Sequence, residues 1–268
     1  MAIRAGYDRL QAPNGPAGYR LGVPRRRIDT LLAERGLARS RTSAASEVRA
    51  GRVRIGRGGE VAAKPGQLVA DDAELAVDAG PQYASRGGLK LENALDELAI
   101  GVDGRVCLDV GASTGGFTDC LLARGAAKVI ALDVGRGQLD WRLRNDARVT
   151  VMERVNARDL DPADLPYRPE LATVDVSFIS LAKVLPAVTA SLVEGGEILA
   201  LVKPQFELER RLVGKGGVVR DPAARRKAID DVAAAARGLG LTVEGEAPSG
   251  LPGPKGNLET FLWLRADR

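Results

Sequence analysis

Apolar positions along the chain follow two rhythms. Early on, Ile28, Leu31 and Leu32 stand at the spacing of one helical face, which Arg35-Gly36 ends in the manner of a glycine cap. Ser40 then occupies an N-cap position for a second helix reaching Val48 to Ala50, closed by Gly51. Val53-Arg54-Ile55 and Glu74 to Val77 read as short strands about a glycine-rich turn. Beyond Gly88, helix-like and strand-like segments alternate. The pattern predicts helices over 89–98, 116–124, 181–193 and 222–239. It predicts strands over 106–110, 128–133, 171–176, 198–202, 241–244 and 261–264. Such alternation builds a doubly wound, Rossmann-like α/β sheet, which binds ligands at the carboxyl ends of its strands. Residues 1–24 have no apolar period and are rich in Gly and Pro, so they read as a disordered extension. Residues 79–84, with Gly and Pro, read as a linker.

Composition narrows the chemistry. The 268 residues suit one medium domain and one small one, and no uncharged apolar run is long enough for a membrane span. There is no histidine, which removes Ser-His-Asp and Cys-His nucleophile systems, HExxH metal sites and histidine bases. The only cysteines, Cys107 and Cys120, form neither a zinc knuckle nor a disulfide framework, so no metal is expected and the cytoplasm is the natural compartment. Of 39 cationic side chains 31 are Arg and 8 are Lys. Residues 1–64 carry 14 of them against 5 carboxylates, a balance of +9 within a whole chain of +4. A basic module joined to a mildly acidic larger domain points to a polyanionic partner.

The strand at 106–110 ends in Asp109-Val110-Gly111-Ala112-Ser113-Thr114-Gly115-Gly116-Phe117-Thr118-Asp119. A dinucleotide loop would read GxGxxG and cradle a pyrophosphate, which Asp109 would repel. The next strand ends in Asp133, placed to accept from ribose hydroxyls. S-adenosylmethionine has a ribose, a sulfonium and no phosphate, and so fits better than NAD. Asp109, Gly111, Ser113, Gly115, Gly116, Phe117 and Asp133 are its expected contacts. Asn156 stands either near the adenine or in an Asx turn. Trp141 and Phe117 read as packing residues rather than base-stacking ones.

Four charged residues recur at a helix start or a strand end near this loop: Lys90, Asp175, Lys203 and Glu259. Their Lys-Asp-Lys-Glu order resembles that of the FtsJ-type 2′-O-ribose methyltransferases, which implies methyl transfer to a ribose hydroxyl, a poor nucleophile that requires alignment and removal of its proton. A lysine can take that proton as the neutral amine, which a second cation and partial burial favour, whereas arginine cannot. Lys203 is the candidate base, Lys90 the second cation, and Asp175 and Glu259 the groups that orient them, with Asp175 also a cofactor contact.

Two resemblances carry these readings further. Ile28, Asp29, Leu31, Leu32, Gly36 to Arg41, Gly51-Arg52-Val53 and Lys64-Pro65-Gly66 resemble an S4 RNA-binding domain over 25–78. The resemblance implies a small α+β module in which Arg39, Arg41, Arg49, Arg52 and Arg54 face structured RNA, whose helices offer phosphates and 2′-hydroxyls. The Lys-Asp-Lys-Glu order and the Asp-Val-Gly-Ala-Ser-x-Gly-Gly loop resemble the FtsJ-type 2′-O-ribose methyltransferases over 85–268. With Lys203-Pro204-Gln205-Phe206-Glu207, the segment Lys215 to Pro222 and Gly253-Pro254-Lys255-Gly256-Asn257-x-Glu259, the whole resembles the TlyA family over about 25–265. That resemblance implies methylation of ribosomal RNA cytidines from S-adenosylmethionine by a monomer acting on ribosomal subunits. A silent RNA-binding protein, a haemolysin-like membrane-active protein and an NAD oxidoreductase are the competing functions.

Overall fold

The computed structural model describes residues 23–78 and 82–266, so residues 1–22 of the expected disordered extension lie outside the described residues. Two compact units divide at residue 80.

In the first unit, β1 (Arg25–Arg27) leads into α1 (Ile28–Glu34) and α2 (Arg41–Arg49). There follow β2 (Val53–Ile55), β3 (Glu60–Val61), β4 (Leu68–Ala70) and β5 (Leu75–Val77). Ile28, Leu31 and Leu32 of α1 pack with Ala44 and Val48 of α2 against Val53, Val69 and Leu75. The apolar spacing seen in the sequence is therefore the face that closes this small core. Ser40 caps α2 as expected, its hydroxyl accepting from the Ser43 N–H at 3.1 Å. Strands β3, β2 and β5 form one antiparallel sheet, and β1 pairs with β4. These last two are three-residue strands that long-range pairing creates, and periodicity gives no sign of them.

The second unit opens with α3 (Gly87–Glu97), β6 (Val106–Val110), α4 (Gly116–Ala123) and β7 (Lys128–Asp133). It continues through α5 (Trp141–Arg144), β8 (Val149–Glu153), β9 (Leu171–Val174), α6 (Leu185–Ser191) and β10 (Glu197–Val202). Last come α7 (Pro204–Glu207), α8 (Pro222–Gly238), β11 (Leu241–Pro248) and β12 (Thr260–Ala266). Seven strands form one sheet in the order β11-β12-β10-β9-β6-β7-β8. All neighbours are parallel except β12, which runs antiparallel to β10 and β11. From β6 the chain builds outward to β8, then returns to β9 on the other side of β6 and builds away from it. The crevice of such a sheet opens where the winding reverses, above β6 and β9.

Apolar side chains cover both faces of this sheet. Leu108, Val110, Ile130 and Val174 face one layer, with Val188, Val232 and Ala236, while Cys107, Val129, Leu199 and Phe261 face the other, with Leu91, Leu95 and Leu121. Several boundaries differ from the expected ones. The predicted helix 181–193 is a 3₁₀ turn at Leu181–Lys183 followed by α6, whose first turn holds Pro186; proline lacks the amide that a longer helix would need there. The strand predicted over 171–176 stops at Val174, and β11 and β12 each run beyond their expected ends. Part of the expected linker is built into the second unit. Tyr83 is buried among Leu91, Phe117 and Cys120, its hydroxyl donates to Glu92 Oε1 at 2.8 Å, and the Ala84 N–H donates to Asp119.

Candidate active site

Strand register brings the predicted residues to one edge of the sheet. Val110 pairs with Val174, and Val174 with Ala200, so Gly111, Asp175 and the end of β10 emerge side by side. Val202 pairs with Thr260, which sets Lys203 beside Glu259 although 56 positions separate them in the chain. Gly111 has φ +86°, and a Cβ there would collide with the Asp175 carbonyl oxygen. Only glycine lets these two strand-end loops approach so closely.

Lys90 of α3 reaches Glu259, Nζ to Oε2 2.5 Å, both side chains being almost wholly buried. Lys203 pairs with Asp175 Oδ1 and donates to the Ser177 hydroxyl at 3.0 Å. The four charged residues are thus two lysine–carboxylate pairs. Both line one cavity of about 570 Å³, together with Gly111 to Thr114, Gly116 and Phe117 of the glycine loop. That volume is in the range of a small-ligand pocket, roughly 300–1,000 Å³. Ser85, Ser177 and Phe178 also line it, none of them singled out in the sequence, and so do Gln205 and Phe206 of the motif after Lys203. Phe178 is 91% exposed at φ +65°, with its ring 5.0 Å from that of Phe206. Its place three residues after Asp175 was the available signal.

Other predicted contacts lie elsewhere. Asp109 does not reach the cavity. It is wholly buried on the β6 face shared with Cys107, because strand side chains alternate and this one points beneath α4. There it accepts from Thr118 at 2.6 Å and Thr173 at 3.4 Å. Burial without a cation pushes its carboxyl up to about 7, against the opposing effect of those hydroxyls. Asp133 accepts from the Ser113 and Gly135 N–H groups at 2.8 and 2.6 Å, and lines a separate recess with Ala112, Ser113 and Gln138. Gly115, at φ +95°, caps α4 behind the loop. Asn156 takes the Asx-turn alternative, its side chain accepting from the Arg158 N–H at 3.1 Å, and it does not line the cavity. Phe117 packs against Phe261, ring centroids 5.9 Å apart, whereas Trp141 corrects the packing expectation: it is 75% exposed at the start of the short α5.

The arginines of the first unit fall into two groups. Arg39 and Arg49 are exposed without a side-chain partner among the described residues, and Arg41 is exposed with a 3.4 Å contact to Asp29. Arg52 is tied to Glu47 at 2.5 Å and Arg54 to Asp78 at 2.7 Å. Both cysteines are free and buried, and among the described residues no cluster of three His, Cys, Asp or Glu side chains could hold a metal ion. No described helix is long and apolar enough to cross a membrane.

A glycine loop at the switch point of a seven-stranded sheet, facing paired lysines and carboxylates, defines a methyltransferase of the FtsJ-like class. The family model for FtsJ-like methyltransferases matches residues 83–266, and that for the S4 domain residues 26–75. The chain belongs to that family, and more narrowly to the TlyA proteins. A 16S/23S rRNA (cytidine-2′-O)-methyltransferase TlyA from Mycobacterium tuberculosis is 53% identical over 243 residues, 90% of each chain. A Hemolysin A from Brachyspira hyodysenteriae is 40% identical over 87% of this chain and 97% of its own. A solved structure from Streptococcus thermophilus, titled as a hemolysin, superposes with a TM-score of 0.69 at 43% identity, covering 91% of this chain and 90% of its own.

Proposed function

We propose that the protein transfers a methyl group from S-adenosylmethionine to the 2′-hydroxyl of cytidines in ribosomal RNA, with ribosomal subunits as substrate and the cytoplasm as compartment. The observation that carries this reading is the convergence of Lys90–Glu259 and Lys203–Asp175 on one cavity beside the glycine loop. Every other assignment of role depends on it.

The residues present suit this cofactor. Gly111 lets the glycine loop pack directly on the Asp175 strand end, so both line the one cavity, and the loop offers no cation for a pyrophosphate. When bound, the cofactor supplies an electrophilic methyl on a sulfonium. Gly111 to Thr114, Gly116, Phe117 and Asp175 would hold its amino-acid part, and Asp133, in the recess that shares Ala112 and Ser113 with the cavity, its ribose. Lys203, held by Asp175 and Ser177, would be the group that accepts the 2′ proton as the hydroxyl oxygen gains the methyl. Lys90, held by Glu259, aligns the hydroxyl for in-line attack. Arg39, Arg41 and Arg49 of the S4 domain draw in the RNA phosphates, with Arg52 and Arg54 contributing less while bound to their carboxylates.

The test is mass-spectrometric mapping of methylated nucleotides after incubating the protein and cofactor with each unmodified ribosomal subunit. A 2′-O-methylcytidine in either RNA supports the reading, and no transfer to either overturns it. That some relatives are called hemolysins sets a separate arm. Dye release from liposomes by purified protein, undiminished in Lys203→Ala, would revive a membrane activity independent of this site.

A further inference from the structure

Four cations line the cavity: Arg86, Lys90, Lys203 and Lys255. Lys90 and Lys203 are each matched by a carboxylate. Arg86 and Lys255 are exposed, and their side chains have no hydrogen bond or ion pair among the described residues. Glu259 and Asp175 being the only carboxylates in that lining, two positive charges are left over.

Both surplus cations stand on the segments that carry the Lys90–Glu259 pair. Arg86 lies one helical turn before Lys90, whose N–H donates to its carbonyl at 3.4 Å. Lys255 lies four residues before Glu259, and Lys90 and Glu259 are bonded to each other. The turn that carries Lys255 is firmly held. Gly253 and Gly256 close it by backbone bonds of 2.8 Å each, and the buried Asn257 side chain accepts from the Val219 N–H and donates to the Gly217 carbonyl. A rigid base thus presents an unpaired ammonium at the mouth of a concave site, where an anion is most strongly attracted.

An internal ribose arrives with a phosphodiester on each side. A 2′-hydroxyl delivered to Lys203 therefore brings an anion within one sugar's width of the same cavity. We infer that Lys255, together with Arg86 of the same cavity, binds the phosphodiester next to the methyl-accepting ribose. This rests on the proposed rRNA methyltransferase reading. The methionine carboxylate of the cofactor is the competing anion, so the test separates the two.

The experiment uses the full chain and its Lys255→Ala and Lys255→Arg variants. RNA affinity is measured over a range of salt with an unmodified ribosomal subunit, and S-adenosylmethionine affinity by calorimetry without RNA. Lys255→Ala should bind RNA about tenfold more weakly, and its plot of log affinity against log salt should be shallower by about one. Lys255→Arg should stay within about twofold of the parent, since it keeps the charge. Cofactor affinity should not change. A parental salt slope in Lys255→Ala overturns the inference, and so does a loss of cofactor affinity at unchanged slope, which would give Lys255 to the methionine carboxylate. Neither outcome touches the methyltransferase reading, which falls only if the parent protein modifies neither subunit.

Discussion

Two buried aspartates, one in each unit, show how differently the halves of this chain handle charge. Asp29 in the S4 domain is 3% exposed and Asp109 in the methyltransferase domain not at all. The Arg27 guanidinium donates to Asp29 twice, at 3.0 and 2.7 Å, and holds its carboxyl down to about 2, whereas Asp109 has only hydroxyl partners and rises to about 7. Burial is common to both, so the partner decides the direction. The same division runs through the cations. The S4 domain keeps Arg39, Arg41 and Arg49 in solvent, as suits long-range attraction of a polyanion, while the catalytic domain withdraws Lys90 and Lys203 into a cavity and neutralises each. On the proposed function, charge displayed serves encounter and charge enclosed serves chemistry.

The sharpest way to break that division is to remove an enclosed lysine. Lys203→Ala or Lys90→Ala should lower methyl transfer by about a thousandfold, the usual scale for a lost acid–base or aligning group, with RNA affinity unchanged in filter binding. Parental turnover in either would sink the assignment.

The aspartates come next, with opposite signs. Asp29→Asn should destabilise the S4 domain by about 2 kcal/mol near neutral pH, since charge-assisted bonds are lost. The stabilisation from Asp29 is present above its ordinary 3.8 and disappears as pH falls through about 2, so the variant and parent should converge in acid. Asp109 works the other way. Its protonated form is the one the fold favours, so its contribution is complete below 3.8 and lost as pH rises through about 7. Asp109→Asn, which keeps an acceptor for Thr118, should melt higher than the parent above pH 7 and match it in acid. Melting curves across pH check both, and equal pH dependence in the two variants would erase the contrast.

Smaller effects refine the picture within the S4 domain. Arg39→Ala with Arg41→Ala should weaken RNA binding about tenfold and reduce its salt dependence. Arg52→Ala or Arg54→Ala should change affinity less than about threefold, because their carboxylate partners already occupy them. A reversal of that order would show that Glu47 and Asp78 release their arginines to the RNA.

How much of this could be read beforehand follows the reach of each signal. Helical spacing in Ile28, Leu31 and Leu32, the Ser40 cap and the long apolar strands of the large sheet are local, and the structure has them. The four charged residues were legible as an ordered set, yet their partition into Lys90–Glu259 and Lys203–Asp175 depends on strand register. Asp109 was misplaced because loop position suggested the crevice, while strand alternation turned its side chain beneath α4. Trp141 was assigned to packing from the scarcity of aromatics, a compositional argument that cannot see which way a short helix faces. The pairing of β1 with β4 and the single-turn α7 after Lys203 depend on contacts distant in sequence, which leave no periodic trace.

Cys107 and Cys120, the chain's only thiols, lie buried in the layer beneath the glycine loop, and burial pushes both up to about 12. In the native state the protein is therefore silent toward thiol reagents, since the thiolate is the reactive form. A single cysteine introduced at an exposed position such as Leu37 would be the one site labelled by a maleimide. The appearance of two further labels with time would count, molecule by molecule, how often the catalytic domain opens.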